Sequence, residues 1–433
     1  MIIIVCSWSF YAYTNIFNLV NLLIVTSITL LFARKIRKVA NKGLYLAVGV
    51  LIVVIQLVLA KYSSVLAYFT SVIPYFDNSY FNLFILPIGI SFYSLQAIGF
   101  MSDVRSGRYI GDIRLRSISA FLSFFPQSVS GPIHRASELI PQFELEKEFI
   151  ANNIVIGCKT MLWGFFCKLM VADKISIIIA PIFNTVSEQE GLSLLLATLL
   201  YSLQIYFDFW GYSLIAIGVG RVLGFTINVN FNAPYSANSF KDFWHKWHIT
   251  LSKWMRDYVY IPLGGRKQKS FYLFCGSILI TFLVSGFWHG VTINFILWGA
   301  THAFLYLLED YIRRHFSQSL HISKPVVIVR LIRFFKTISF FIIISFTWLI
   351  FRTDSYSELI GIVNRIVFPS GWSLSNVFMQ YMSTTNSIYL IIILSTHLIS
   401  QSNFIKKKTE QIASTPFENV TDFMFISTCL ILI

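Results

Sequence analysis

The stretch SFKDFWHKWHITLSKWMRDYVYIPLGG (239–265), a short basic loop, and then FYLFCGSILITFLVSGFWHG (271–290) decide how this chain is read. The second run is apolar, long enough for a membrane helix, and ends on a histidine. The first interleaves tryptophans with histidines, lysines and an arginine. Ionisable groups at membrane depth are costly unless they find a partner or water, so they mark pathways or reaction centres.

The rest of the chain fits that reading. Its 433 residues are 56% hydrophobic and 12% charged, with 42 phenylalanines. A soluble domain carries about 25% charged residues. Apolar runs recur from end to end, so the expected fold class is an all-α polytopic membrane protein. The net charge of +14 sits in short clusters between apolar runs. That is the positive-inside pattern, not a nucleic-acid surface. The five cysteines (Cys6, Cys158, Cys167, Cys275, Cys429) show no CxxC spacing and read as small core residues. The apolar N-terminus lacks a basic leader and a small-residue cleavage site, so it reads as part of the first membrane segment.

Charge parity gives a topology. Spans near 16–32 and 44–69 are separated by Arg34, Lys35, Arg37, Lys38 and Lys42, placed inside. A span near 81–101 returns to Arg105, Arg108, Arg114 and Arg116. SFFPQSVSGPIHR (123–135) is too broken by Pro126, Gly131 and Pro132 to be a plain span and fits a re-entrant segment. Spans near 150–183 and 192–220 flank an acidic outer loop at 187–191. Further spans fall near 271–288, 291–312, 338–351, 385–400 and 420–433, with Arg313 to Lys336 and Lys406–Lys408 inside. The total is about ten, in a single integral-membrane domain over 1–433.

Residues 240–261 read as one helix. Ser239 is its N-cap, Asp242 lies three residues on, and Pro262 with Gly264–Gly265 ends it. Phe240, Trp244, Trp247, Leu251, Trp254 and Tyr258 form an apolar stripe. Lys241, His245, His248, Ser252 and Arg256 form a polar one on the opposite face. An interfacial amphipathic helix explains the stripes; an active-site element explains two histidines on the polar face. Both readings stand at this point.

His289, in GFWHG, is the other candidate. Imidazole exchanges protons near neutral pH, and Gly286 and Gly290 beside it allow close approach. His302 lies 13 residues on, about 20 Å along an unbroken helix. On that basis His248 is the better companion for His289, and His302 is a packing or second-site residue. Other chemistries lack their signatures: there is no GxSxG, HxxxD, P-loop or GxGxxG. HxxH at His245–His248 has the wrong helical spacing for a metal pair, so no metal is expected.

Several stretches together resemble the membrane-bound O-acyltransferase (MBOAT) family, in its bacterial branch of alginate O-acetyltransferases and teichoic-acid D-alanyl transferases. They are GISFYSLQAIGFMSDV (89–104), FFPQSVSGPIHR (124–135), LQIYFDFWGYSLIAIGVGRVLGF (203–225), the stretch 230–265, GFWHG with WGATHAF (286–304), and FTWLIFR (346–352). They cover most of 80–352, the motif-bearing core. The resemblance implies roughly eleven helices around a tunnel with re-entrant elements. It places the family histidine on His289 and its partner on His248. It also implies an acyl-CoA donor, acetyl-CoA above all, entering from the cytoplasm. The acceptor would be an extracytoplasmic polysaccharide or an esterase-like (SGNH) relay protein, and the setting the bacterial inner membrane. No bound cofactor is implied. The chain departs from the family pattern at His245, Leu214 and Ala303.

The mechanism implied makes His289 the general base toward the acceptor hydroxyl. His248 orients that hydroxyl or stabilises the oxyanion. Ser252, Lys253, Arg256, Asp257 and Trp288 are candidates for holding substrate. Lys253, Arg256, Arg266, Lys267 and Lys269 are candidates for the CoA phosphates, the last three with ordinary positive-inside charge as their alternative. Arg256 and Asp257 have local pairing as theirs. The rival functions are D-alanyl transfer to teichoic acid, a transporter using the intramembrane histidines and Lys168 as a proton relay, and a non-catalytic envelope scaffold.

Overall fold

A computed structural model describes residues 1–62, 87–268, 270–290, 292–316, 326–369, 371 and 373–381. Their regular structure is all helical, with no strand among the described residues. Four of the helices, Ile16–Lys38, Lys42–Lys61, Gly191–Val222 and Phe271–His289, are long and apolar enough to cross a membrane. The expected spans near 385–400 and 420–433, and Lys406–Lys408, lie outside the described residues.

The chain forms two compact units. The first comprises Met1–Ala151 and Val219–Asn228. It holds α1 (Ile2–Thr14), α2 (Ile16–Lys38), α3 (Lys42–Lys61), α4 (Ile90–Ser106), α5 (Leu115–Ser123) and α6 (Ala136–Glu144). The N-terminus is not part of the first span. Asn15 is extended (φ −171°, ψ 134°), and its side chain accepts from the Phe17 N–H at 2.9 Å. This N-cap starts α2 afresh and leaves α1 as a 13-residue helix, too short to cross alone. α2 packs against both α3 and α4. The expected span near 81–101 is described only from residue 87, and there the helix is 90–106. The segment between α5 and α6 is irregular, as the prolines and glycine require. Only Phe125–Gln127 forms a single 3₁₀ turn, and residues 131–134 are buried.

The second unit comprises Asn152–Gly218 and Val229–Ile433. Near its start α7 (Ala151–Phe165) continues through a π-helical stretch (Phe166–Ala172) into α8 (Asp173–Asn184). Then come α9 (Gly191–Val222), α10 (Phe240–Lys246), α11 (Ile249–Met255) and a π turn (Arg256–Tyr260). α12 (Phe271–His289), α13 (Ile293–Phe316), α14 (Val326–Arg352), α15 (Tyr356–Val367) and α16 (Asn376–Tyr381) follow. The basic stretch from Arg313 to Lys336, placed between two expected spans, is helical at both described ends. α13 runs to Phe316, and α14 already includes Arg330, Arg333 and Lys336. These three recur every third residue, so they form a charged stripe on one helix face rather than breaking it.

The core of this unit is aromatic. Trp247 lies 4.7 Å from Trp348 and 5.0 Å from Phe231, and Trp298 stacks on Trp348 at 5.9 Å. Tyr206 stacks on Trp210 at 5.4 Å. Each such pair is worth about 0.5–1.5 kcal/mol beyond burial. α12 and α13 pack with almost nothing between their backbones. A Cβ on Gly286 would sit 2.2 Å from the Phe295 carbonyl oxygen, and one on Gly299 would sit 2.4 Å from that of Phe282. In lipid, close packing of this kind replaces the hydrophobic drive between helices.

Candidate active site

Ser239 caps α10 as its sequence requires, its hydroxyl accepting from the Asp242 N–H at 3.0 Å. The continuous helix expected over 240–261 is not formed. α10 stops at Lys246, Trp247 is extended (φ −102°, ψ 131°), and His248 is left-handed (φ 41°, ψ 53°) before α11 begins. The cause lies upstream, in residues 230–232. The Asn232 N–H donates to the Lys246 carbonyl at 3.0 Å, and the Ile249 N–H donates to the Asn230 carbonyl at 2.9 Å. The Asn230 amide donates to the Ser213 hydroxyl at 3.1 Å, and its carbonyl oxygen accepts from the Thr250 hydroxyl at 2.6 Å. That segment supplies the partners which a continued helix would have supplied itself.

The break separates His248 from its expected stripe. Lys241, His245, Ser252 and Arg256 line one cavity of about 430 Å³, together with Lys253, Arg266, Trp244, Phe282 and Ser285. His248 does not line it. Its ring is 2% exposed, 4.6 Å edge-on from Phe209 and 6.3 Å from Trp288. Its Nδ1 has no hydrogen-bond partner among the described residues. A left-handed non-glycine residue is strained, and such strain gathers at functional sites. Among the described residues only Ala233 shares it.

His289 is the last residue of α12, half-buried, and is close enough to His248 for their charges to interact. Its ring lies 4.8 Å from Trp288, 5.3 Å from Trp298 and 5.2 Å from Phe351. Trp288 therefore touches both histidines. The cavity reaches Ser285, one turn before His289 on the same helix. Two imidazoles thus flank one indole, that of Trp288, beside a pocket that is apolar within and basic at its rim.

Comparison with known proteins identifies the family. The model of the membrane-bound O-acyltransferase family matches residues 7–352. The chain belongs to the MBOAT family. It is 31% identical to the peptidoglycan O-acetyltransferase of Helicobacter pylori, over 93% of this chain and 80% of that protein. It is 33% identical to a protein of Azotobacter vinelandii named "Probable alginate O-acetylase", over 68% of this chain and 56% of the relative. A teichoic acid D-alanyltransferase of Bacillus subtilis is 30% identical over 50% of this chain and 57% of its own length. The chain thus spans little more than half of the last two relatives. It is a multi-pass membrane protein of an acyltransferase family.

The other sequence-nominated residues of this MBOAT chain divide. Lys253 is exposed at the cavity rim, and His245 is exposed there with its Nδ1 2.5 Å from the Lys241 carbonyl. Arg256 pairs with Asp257 at 2.6 Å and 3.1 Å. Those bonds raise the guanidinium further above its usual value. Lys267 is exposed, and Lys269 lies outside the described residues. Lys168 sits 2.6 Å from both Asp173 and Asp208, a fixed ion network rather than a lone relay.

His302 is not remote from His289. No single helix joins them: α12 ends at His289, α13 begins at Ile293, and α13 packs back against α12. His302 is fully buried, 4.8 Å from Trp298 and 5.1 Å from Trp244. His289 and His302 therefore contact the same indole. Neither His302 nitrogen has a hydrogen-bond partner among the described residues. No group of His, Cys, Asp and Glu suited to a metal occurs among the described residues. The break sets the HxxH pair apart in any case, with His245 at the cavity and His248 behind it. Phe209, Trp298 and Phe351 frame the site and were not singled out from sequence. Their signal was only position: each lies in a family-like stretch already noted.

Proposed function

We propose that this chain transfers an acyl group, acetyl in the first instance, from acyl-CoA to a hydroxyl beyond the bacterial inner membrane. The acceptor is a cell-envelope glycan, peptidoglycan included, or an esterase-like relay protein that passes the group on. The observation that carries this is the left-handed, buried His248 beside His289, one helical turn past a basic-rimmed apolar cavity. The names of the relatives supply the acceptor class.

The chemistry needs no covalent enzyme intermediate, because a thioester is already activated. His289 takes the proton from the acceptor hydroxyl as its oxygen attacks the acyl carbon. His248 donates toward the oxyanion or aligns the hydroxyl. The C–S bond then breaks, the thiolate leaves, and the imidazolium returns the proton to sulfur. Ester and free thiol are the products. Lys253, Arg256 and Arg266 at the rim suit the donor's phosphates, and the apolar interior suits its acyl arm.

The test is acetyl transfer by the purified protein in proteoliposomes, read as CoA thiol released and ester formed on glycan. His289→Ala is expected to lower the rate by about 10²–10⁴ while leaving insertion and melting unchanged. Wild-type transfer by that variant would remove His289 from the mechanism. Transfer from a D-alanyl carrier, with none from acetyl-CoA, would reassign the donor to that of the Bacillus relative.

A further inference from the structure

A second cavity, of about 470 Å³, opens beside the first. It is lined by Arg266, Arg313, Arg314, Asp310, Phe271 and Phe274, with Gln268 and Ser270. Three arginines and one aspartate leave two positive charges in excess. Two of these arginines are held in place by side-chain contacts. Arg313 and Arg314 each lie 2.6 Å from Asp310, whose carboxylate is 5% exposed. The Arg314 guanidinium also lies 5.9 Å and 5.3 Å from the rings of Phe271 and Phe274.

Arg266 is held by its turn. Gly264 (φ 98°) and Gly265 (φ 52°) are both left-handed, which glycine alone adopts without strain. The Leu263 carbonyl accepts from Gln268 at 2.5 Å and from Ser277 at 3.1 Å. Loose positive-inside charge needs none of this. Guanidinium planes fixed by a buried carboxylate and aromatic faces are the usual design for phosphate esters.

Position supplies the second argument. Arg266 lines both cavities. Along α12 the second cavity takes Phe271 and Phe274, and the first takes Ile278, Thr281, Phe282 and Ser285. Along α13 the second takes Asp310, and the first takes Tyr306 one turn away. The two adjoin at Arg266 and together form one groove along α12, about 21 Å long from Phe271 to Ser285, walled by α13 at the arginine end and by α10 and α11 at the other. It runs from an arginine cluster to the turn before His289.

We propose that Arg266, Arg313 and Arg314 form a phosphate-ester site that anchors the nucleotide end of the acyl donor, leaving its thioester arm to run along the groove. This rests on the reading of the first cavity as the donor's. A lipid headgroup offers the same phosphate chemistry, and Phe271 at the mouth is 48% exposed.

The test uses the full chain in nanodiscs, with adenosine 3′,5′-bisphosphate as probe. Arg313→Gln with Arg314→Gln is expected to weaken its binding about tenfold or more, as loss of charge-assisted hydrogen bonds does. The kcat/KM for acetyl-CoA relative to acetyl-pantetheine should fall by a similar factor. Asp310→Asn keeps a hydrogen-bonding oxygen beside the guanidiniums but removes the competing charge, and should tighten bisphosphate binding, a gain that misfolding cannot produce. If bisphosphate binding is arginine-independent but melting is raised by phosphatidylglycerol only with the arginines present, the phosphate belongs to lipid and the donor assignment is overturned. If neither ligand responds to the substitutions, the site itself is overturned. Arginine-dependent bisphosphate binding without any acyl transfer would keep the site and sink the enzymatic reading instead.

Discussion

At the residue scale the informative atoms are those of His248. Its backbone stands where a β-branched residue is a strong outlier and asparagine is tolerated. His248→Asn is therefore expected to keep the melting temperature within a few degrees and to lose acyl transfer. His248→Val is expected to lower the melting temperature as well. Fluorescence-detected melting beside a transfer assay separates the two, and an active His248→Asn would show that the imidazole is dispensable. The identity of this histidine was legible from sequence, because an ionisable group at membrane depth stands out. Its conformation was not. The partners that break the helix are the Asn230 carbonyl and the Asn232 amide, more than a dozen residues upstream, and no local pattern in 240–261 encodes them. The separation of His289 and His302 was illegible for a related reason: α12 ends at His289 and α13 begins at Ile293, so the distance does not follow one helix.

At the element scale the α12–α13 pair sets the site. Gly286→Val would drive a branched side chain into the Phe295 carbonyl, where even a Cβ lies at 2.2 Å. Overpacking of this kind costs about 1–3 kcal/mol or more. Gly276, on the same helix, has nothing within 4 Å of a built Cβ. Gly276→Val should thus melt close to wild type and Gly286→Val several degrees lower. Equal melting of the two would show that the helices part more easily than their backbone contact implies. The apolar run of α12 and its ends were readable from hydropathy and the flanking Gly264–Gly265 turn. The extension of α14 back to Val326 was not, because Arg330, Arg333 and Lys336 look like a loop by charge and like a helix only by spacing.

At the scale of the whole molecule, hydropathy and charge parity yielded an all-helical membrane protein. Four described helices are long and apolar enough to cross. The same parity puts Ser187 outside and Lys267 inside, and both are exposed. A membrane-impermeant maleimide applied to intact cells is expected to label Ser187→Cys and to spare Lys267→Cys until the cells are opened. Labelling of both from outside would invert this half of the topology. The close contact of α12 with α13 has a mechanical consequence of its own. Two backbones that meet at Gly286 and Gly299 are keyed together like meshed teeth and cannot slide along each other.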